Sequence, residues 1–519
     1  MEAPHFIHFA PPPPAQEGVE DKRWWGLGVI CVAMFISAMD MTIVNVALPD
    51  MSNDLDAGIG ELQWVLDAFL VSLAGLLLVG NGLADRFGRR RVFLLGLVGF
   101  AVTSVLAAVA ETVGELIAAR VLMGMAACCV LPPALSLLAV LFPPELRSKA
   151  AGVWAAVAGL GLALGPVVGG VLVDVAGWRW VFLVSVPFVL LAVPLGLRWL
   201  PESRRPGVPP LDIPGAALST LALGGIVFTL IEGVDAGWTS PDVIIAAITG
   251  VAAGVAFLAT ELRRRHPLFD VRVLAGRRVA AGALVILAAY IATLGMLFVL
   301  PQYVQYVQDG SAFASGLEVA PFGLGLGLLA SVSGRLVARF GSAGVILAGL
   351  LTAAAGFVPL LFLSADGSAA LVLLGTALFG CGLGAMAPPV TAVIMNDVGT
   401  EKAGDGAAVN QVARQVGGAL GVAIVGSVFA AVYAAEISED SRLPAVAKES
   451  IEDTTGVANR LHGAAHSELL NHAVASFDVA ARWGLAVCMA VVLLGAASAA
   501  IGLSQASPES PKGAGRVRE

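Results

Sequence analysis

Long apolar runs follow one another along nearly the whole 519-residue chain, and most are separated by short polar connections. Each run holds ~20 residues or more, the length that an α-helix needs to cross the hydrocarbon core of a bilayer. A helix also satisfies its own backbone hydrogen bonds, as a lipid environment requires. The pattern therefore predicts an all-α integral membrane protein with fourteen spans, numbered in chain order: 26–48, 62–82, 92–111, 114–140, 149–173, 178–199, 212–233, 241–262, 278–302, 314–338, 343–363, 368–394, 404–434 and 477–503.

The composition agrees with a membrane protein. Hydrophobic residues make up 58% of the chain and charged residues 13%, and the mean hydropathy of +0.86 lies far above soluble averages. The first apolar run is too long for the core of a cleaved signal peptide, so we interpret it as a span. The five cysteines lie in apolar spans without metal-ligand or disulfide spacing, and we expect no metal site.

Positively charged residues indicate the orientation of the spans. With the N-terminus inside, cytoplasmic segments contain most Lys and Arg residues, because positive segments resist translocation. Both termini are therefore expected in the cytoplasm, and the abundance of Ala, Gly and Val favours a bacterial cell membrane. Seven of the 30 Lys and Arg residues lie elsewhere: Arg120, Arg179, Arg414, Arg442, Lys448, Arg460 and Arg482.

An internal repeat divides the chain. Three short sequences recur with an offset of 253 or 256 residues: LADRFG (83–88) and LVARFG (336–341), PP (132–133) and PP (388–389), GLALG (161–165) and GGALG (417–421). Two six-helix halves with an inserted helix pair between them are the simplest interpretation, and such repeats are typical of transporters that bind substrate between the halves. The predicted segments are a disordered cytoplasmic tail (1–23), the first half (24–200), the inserted pair (201–263), the second half (264–504, with an outer loop at 435–476) and a C-terminal tail (505–519).

The sequence GLADRFGRRRV (82–92) places five charges in the connection between spans 2 and 3. Glycines permit a tight turn between two helices, and the Asp can pair with an Arg or face a helix N-terminus. Arginines that only set the topology would explain neither the Asp nor the glycines. We therefore predict a conformational latch formed by Gly82, Asp85, Arg86, Gly88, Arg89 and Arg90.

This stretch resembles the G-x-x-x-D-R-x-G-R-R signature of the major facilitator superfamily, in which it locks the two halves in an outward-facing state. In the second copy Ala338 replaces the Asp, so that copy is degenerate. Four further sequences resemble the fourteen-span drug:proton antiporters of that superfamily: MDMTIVNVALP (39–49), WVLDAFLVSLAGLLL (64–78), ARVLMGMAA (119–127) and GLALGPVVGG (161–170). The resemblance implies the major facilitator fold, proton-driven export, and proton or substrate roles for Asp40 and Arg120.

Span 5 contains the antiporter helix motif of this resemblance. Glycines recurring every four residues form one smooth helical face on which another helix packs closely, and a proline bends the helix. Such a helix suits sliding contact between the halves, although ordinary glycine packing needs no antiport. The motif residues are Gly161, Gly165, Pro166, Gly169 and Gly170.

Ionisable residues inside a membrane are costly and indicate function. A rise of about 1.5 Å per residue places Asp40, Asp67 and Arg120 about 8 to 13 Å from the outer ends of their helices, so that they can share a layer. We hypothesise that Asp40, together with Asp67, takes up a proton and that Arg120 tunes its proton affinity. The alternative is a static Asp40–Arg120 pair that only sets helix packing. Glu232, near the outer surface, is interpreted as structural.

Span 9 ends in LPQYVQY, where Gln302, Tyr303 and Tyr306 offer an amphipathic wall for a cavity that holds lipophilic compounds. Tyrosines at this depth are also ordinary interface anchors. Arg414 in span 13 either faces the cavity or pairs between helices.

The sequence contains no phosphate-binding G-K-S/T loop, no catalytic constellation and no histidine in a span. The basic segment 261–278 fits topology and attraction to anionic membrane lipids, so we expect no nucleic-acid partner. We expect a monomeric secondary transporter, not an enzyme, that needs no cofactor and exports hydrophobic drugs or natural products in exchange for protons. The alternatives are a dedicated exporter of a single metabolite, such as a self-made antibiotic, and a non-transporting membrane scaffold.

Overall fold

The computed structural model describes residues 19–204, 211–264, 270–364, 367–399, 403–437, 451, 454 and 464–503. These residues form helices and short connections, with no β-strand among them. Fourteen helices in this described part of the chain are long and apolar enough to cross a membrane, which confirms the predicted number. The chain is therefore a multi-pass, all-α membrane protein.

Each spanning helix αn corresponds to predicted span n. Three of them are irregular: α4 and α6 each consist of two consecutive segments, and α7 ends in a π-helical turn. The helices are α1 (Val19–Leu55), α2 (Ile59–Phe87), α3 (Arg89–Ala108), α4 (Val113–Cys128 and Leu131–Leu141), α5 (Pro144–Ala176), α6 (Arg179–Leu183 and Ser185–Trp199), α7 (Ile213–Glu232 and Gly233–Gly237), α8 (Pro241–Arg263), α9 (Arg277–Tyr306), α10 (Ala312–Phe340), α11 (Ser342–Leu360), α12 (Ala369–Val398), α13 (Ala403–Ile437) and α14 (Ala464–Leu503).

Two helix ends differ from the expected segments. Helix α1 begins at Val19, inside the predicted tail 1–23, and α14 begins at Ala464, inside the predicted outer loop 435–476. Apolar periodicity marks where a helix enters lipid, and a helix can continue beyond that point on polar residues. The rest of both predicted tails, and nearly all of 438–463, lie outside the described residues.

The two halves repeat the same packing scheme. In the first half α1 packs on α5, and α4 packs on both α2 and α3. In the second half α9 packs on α13, and α12 packs on both α10 and α11, at the corresponding places. This agreement between corresponding helices is what a duplicated six-helix unit predicts.

The inserted helices α7 and α8 pack on each other, with Gly225 against Gly250 at their crossing. Their hairpin is joined at its base, where Asp212 caps α7 and pairs with Arg264 at the end of α8. Burial raises the pKa of Asp212, but the Gly215 N–H and the Arg264 guanidinium hold it below its usual value overall. Helix α7 lies against α2 of the first half and α13 of the second.

Helix α5 packs closely on two neighbours. A methyl carbon placed on Gly165 would lie 2.0 Å from the Thr42 Oγ1 and 3.0 Å from the Met39 carbonyl oxygen of α1, so the two backbones approach closely. The Thr42 hydroxyl also donates a 3.3 Å hydrogen bond to the Leu162 carbonyl. On the adjoining face, a methyl carbon on Gly170 would lie 2.4 Å from the Ala312 carbonyl oxygen of α10.

The close glycine packing predicted for α5 and its contact with the other half fall on two different faces of the helix. The face of Gly161, Gly165 and Gly169 packs on α1 within the first half. Residues one position further along the helix, Pro166 and Gly170, contact α10 of the second half. Successive residues lie 100° apart around a helix, so the two sets form neighbouring faces.

We predict that Gly165→Ala destabilises the protein by about 1–3 kcal/mol, because the added methyl overpacks the α1–α5 contact. Gly159→Ala is the matched control on the same helix, since a methyl there would meet no atom within 4 Å. Thermal melting of both purified variants in detergent measures the effect. Equal melting temperatures would contradict this account of the α5 glycines.

Candidate functional site

A buried ion pair joins three helices of the first half. The Nη1 of Arg120 on α4, whose residue is 1% exposed, donates a 2.9 Å hydrogen bond to the Asp40 Oδ2 on α1. Its Nε donates to the Val65 carbonyl on α2 at 2.9 Å, and its guanidinium carbon lies 4.5 Å from the centre of the Phe69 ring. The expected contact between Asp40 and Arg120 is present, and it is almost completely shielded from water.

Asp67 lies in a separate place. Its side chain is fully buried, and neither carboxyl oxygen has a hydrogen-bond partner among the described residues. On the same side of α2, Gln63 contacts Gly426 of α13, while the Trp64 indole N–H donates a 3.0 Å hydrogen bond to Glu232 of α7. One helical turn further along, Asp67 therefore faces the seam between α2, α7 and α13.

The expectation that Asp67 shares a site with Asp40 is wrong for this conformation. Arg120 reaches α2 at Val65, and residues two positions apart point to nearly opposite sides of a helix. Depth along the helix can be read from the sequence, but the direction in which a side chain points depends on how the helices are rotated.

The latch segment, residues 82–92, makes a compact set of contacts. Asp85 pairs with Arg89 at 2.8 Å. Gly88 ends α2 with φ +109°, a left-handed conformation that favours glycine. Gly82 lies against Leu211, and the Arg86 guanidinium carbon stands 5.8 Å from the centre of the Phe87 ring.

Glu202, in the connection that follows α6, is the latch partner that the sequence did not indicate. It accepts a 3.2 Å hydrogen bond from the Arg90 backbone N–H and lies 3.6 Å from Arg91. The Arg90 guanidinium also donates to the Leu200 carbonyl at 3.2 Å. Among the hydrogen bonds and ion pairs of the described residues, none joins the latch segment to the second half.

A cavity of about 250 Å³ lies between the halves. Helices α1, α2, α4 and α5 line it on one side, and α9 and α13 on the other. The lining is mostly Met, Leu, Ala, Pro and Gly. Its polar and aromatic residues are Ser37, Asn81, Ser136, Trp154, Tyr290, Gln411, Arg414 and Gln415.

Of the predicted cavity residues, only Arg414 lines this cavity. The wall predicted from Gln302, Tyr303 and Tyr306 packs inside the second half instead. The Tyr303 hydroxyl donates to Asp478 of α14 at 3.1 Å, and the Gln302 amide donates to the carbonyl of its own helix four residues back at 2.6 Å. The Tyr306 ring centre lies 5.5 Å from that of Phe477. An amphipathic pattern does not distinguish a cavity wall from a polar helix contact.

At the end opposite the latch, which we call the far end, the halves are in contact. Asp174 of α5 accepts hydrogen bonds from the backbone N–H groups of Ala312 and Phe313 at 3.1 Å each. A carboxylate is favourable at a helix N-terminus, and here the helix, α10, belongs to the other half. The Gln305 amide of α9 also donates to the Val46 carbonyl of α1 at 3.0 Å. We call the contact of Asp174 with α10 the far-end clasp.

Toward the latch end the same helices separate. Methyl carbons placed on Gly152 and Gly159 of α5, or on Gly327 and Gly334 of α10, would meet no atom within 4 Å. The cavity extends in this direction to Gly404, at the start of α13. The halves are therefore closed at the far end and parted at the latch end.

Two repeated bundles around a cavity that is closed at one end are the architecture of a secondary transporter. The family model of the Major Facilitator Superfamily matches residues 30–422. The chain belongs to this superfamily, as its motifs predicted.

Similar proteins include several drug-resistance proteins. The puromycin resistance protein of Streptomyces alboniger is 38% identical over 83% of this chain and 86% of its own length. The tetracenomycin C resistance and export protein of Streptomyces glaucescens is 33% identical over 95% of this chain and 94% of its own. The multidrug efflux pump LfrA of Mycolicibacterium smegmatis is 30% identical, over 95% and 98% respectively.

A solved structure supports the fold. A bacterial homologue of the human lysosomal transporter Spinster, crystallised in an inward-facing and unoccupied conformation, matches with a TM-score of 0.67 and 17% identity. The match covers 94% of this chain and 99% of that one.

We predict that Asp40→Asn destabilises the protein by about 3–5 kcal/mol, because it leaves the buried Arg120 charge uncompensated. The double variant Asp40→Asn/Arg120→Gln removes both charges and is expected to recover most of this loss. Thermal melting in detergent compares the single and double variants. A double variant less stable than Asp40→Asn would show that the cost does not come from an unpaired charge.

We predict that Asp174→Ala shifts the protein toward states with a wider far end, because α10 loses the carboxylate at its N-terminus. Asp174→Asn is the matched control, since its amide oxygen can still accept one of the two hydrogen bonds. Spin labels at Trp180 and Phe362, two exposed residues at far-end helix termini of opposite halves, report the separation by electron–electron double resonance. An unchanged distance distribution in Asp174→Ala would exclude the far-end clasp as a conformational contact.

Proposed function

We propose that this chain exports hydrophobic drugs or natural products in exchange for protons, by alternating access. The observation that carries the proposal is the cavity between two repeated halves, which touch at the far end and part at the latch end. Relatives named for puromycin resistance, tetracenomycin C export and multidrug efflux support the substrate class. The cavity lies within one chain, which supports a transporter that acts as a monomer.

The orientation of this state follows from the Lys and Arg distribution. The latch end carries the arginines of the latch segment and most other basic residues of the connections, so we assign it to the cytoplasm. The cavity is then open to the cytoplasm, the side from which an exporter collects its substrate. The latch segment, which forms no hydrogen bond or ion pair with the described residues of the second half here, would engage the second half when the latch end closes.

The ion pair of Asp40 and Arg120 is the proposed site of proton coupling. Arg120 and Asp40 join α4 to α1 at 2.9 Å, and a proton on Asp40 would replace this ion pair with a weaker contact between one charge and a neutral carboxyl group. Helix α1 also packs on α5, and α5 contacts α10 of the second half. Protonation of Asp40 can therefore change the packing that connects the two halves.

Asp67 is the second proposed proton site, because of where it lies. It faces the seam between α2 and α13, which belong to opposite halves, and a buried carboxylate without a donor is accommodated best in its neutral form. Opening the far end would separate these two helices and expose the carboxyl group to the outer solution. Asp67 would then exchange a proton only in the outward-facing state.

A dedicated exporter of one natural product is the second candidate function. The puromycin and tetracenomycin C relatives support it, whereas the multidrug efflux relative supports a broad range. A transport assay with several lipophilic compounds distinguishes the two, because a dedicated exporter would move at most one chemical class.

We predict proton-driven uptake of lipophilic compounds into inside-out membrane vesicles that contain the wild type. Fluorescent lipophilic cations, neutral compounds and anions are tested in parallel, and a protonophore should abolish the uptake. Asp40→Asn and Asp67→Asn should reduce accumulation to the protonophore level, because they remove the coupling groups.

The controls separate coupling from folding. Glu232→Gln keeps an acceptor for the Trp64 indole N–H and should transport like the wild type. Asp40→Asn/Arg120→Gln tests the loss of coupling without a buried unpaired charge. Full proton-driven accumulation in either carboxylate variant would exclude that carboxylate as a coupling site.

A further inference from the structure

The charge of the cavity is decided by one residue. Arg414 is the only charged side chain among the described residues that line it. Asp40 is neutralised by Arg120 at 2.9 Å and does not line the cavity. Asp67 lies in the seam on another side of α2. A bound molecule would therefore meet a net positive wall.

The Arg414 guanidinium has N–H groups that are available to a ligand. Its guanidinium carbon lies 5.3 Å from the centre of the Tyr290 ring on α9, a cation–π contact that leaves the guanidinium edges free for hydrogen bonds. Its Nε is buried and has no acceptor among the described residues, and none of the ion pairs between described residues includes Arg414. A guanidinium placed in this way fits a carboxylate or another oxygen anion.

A second donor lies in the opposite half. Trp154 of α5 lines the cavity, and its indole N–H is buried without an acceptor among the described residues. Gln415, which is 3% exposed, also lines the cavity with an unpartnered amide oxygen. A buried polar group without a partner is costly, so these groups indicate that a ligand completes their hydrogen bonds.

The rest of the lining suits a flat aromatic body. Met34 and Met41 of α1 are flexible and polarisable, and they accommodate different aromatic shapes. The rings of Tyr290 and Trp154 provide faces for stacking. Apolar side chains therefore surround a few donors, which is the usual composition of a small-molecule site.

From this arrangement we propose that the cavity selects aromatic molecules that carry an oxygen anion, such as a carboxylate or phenolate, with Arg414 binding the anion. The inference rests on the proposed function, because it takes this cavity as the substrate site. It excludes lipophilic cations as preferred ligands of this conformation. The proposal also has an energetic consequence. Each exchange moves one negative charge out of the cell and one proton in, and an inside-negative voltage favours both movements.

Binding to the purified protein in detergent tests the proposal without transport. The probes are 9-anthracenecarboxylate and 9-(aminomethyl)anthracene, which share one ring system and carry opposite charges. We expect the wild type to bind the carboxylate about tenfold more tightly than the ammonium, as a single charge-assisted contact allows. Fluorescence anisotropy of the anthracene group measures both affinities.

Variants identify the residue responsible. Arg414→Gln should weaken carboxylate binding by about tenfold and abolish the preference, while Arg414→Lys should keep most of the preference. Arg335→Gln, an exposed arginine of α10, is the matched control and should change neither affinity. Trp154→Phe keeps a ring but removes the donor, so it should weaken the carboxylate alone.

Several outcomes overturn the proposal. They are a wild-type preference for the ammonium, binding of neither probe by folded wild type, and an unchanged preference in Arg414→Gln. The melting temperature of each variant shows whether it is folded. If Arg414→Gln is not folded, Trp154→Phe takes its place, and an unchanged carboxylate affinity in that variant would overturn the proposal.

Transport in proteoliposomes separates this proposal from the proposed function. Selective carboxylate binding without proton-driven transport would contradict the exporter and leave the anion site standing. Proton-driven transport of the ammonium that is unaffected by Arg414→Gln would support the exporter and overturn the anion site. If both the exporter function and the anion site are correct, an inside-negative voltage alone should accelerate carboxylate export.

Discussion

The close packing of α5 on both α1 and α10 is the contact on which the rest of the structure depends. Because glycine has no side chain, the backbone of α5 lies directly against α1 at Gly165 and against α10 at Gly170. Asp174 extends the second contact to the N-terminus of α10. Because the halves are in contact at this end, the cavity opens at the other, and the latch segment has no partner in the second half among the described residues.

The structure separates three charged groups of the membrane-spanning helices. Asp40 is paired with Arg120 inside the first half, and Asp67 lies unpaired at a seam between the halves. Arg414 faces the cavity. This separation allows proton coupling and substrate binding to use different residues. The charge of the cavity wall is then independent of the protonation state of the coupling carboxylates. Coupling has to act through helix packing, because the substrate and the proton do not compete for one carboxylate.

The inserted pair has a definite place in this arrangement. Helix α7 covers the seam between α2 and α13, where Trp64 donates to Glu232 and the Ser427 hydroxyl donates to the Leu230 carbonyl at 2.6 Å. It therefore contacts both halves at the far end, while the two halves keep the packing that their six-helix repeat predicts. Asp67 lies beneath this cover, shielded from lipid by a helix that the repeat itself does not supply.

The sequence by itself determined the number of spanning helices, the repeat, the latch segment and the proximity of Asp40 to Arg120. Length, hydropathy and spacing contain this information, because lipid imposes a fixed thickness and a helix a fixed rise. The rotation of each helix about its axis was decided only by the tertiary structure, since it depends on how glycine faces and bulky side chains interlock. That rotation turned Tyr303 away from the cavity and Asp67 away from Asp40. It also brought Trp154 and Tyr290 to the cavity beside Arg414. These three residues lie on three different helices, and the periodicity of a single helix does not predict contacts between helices.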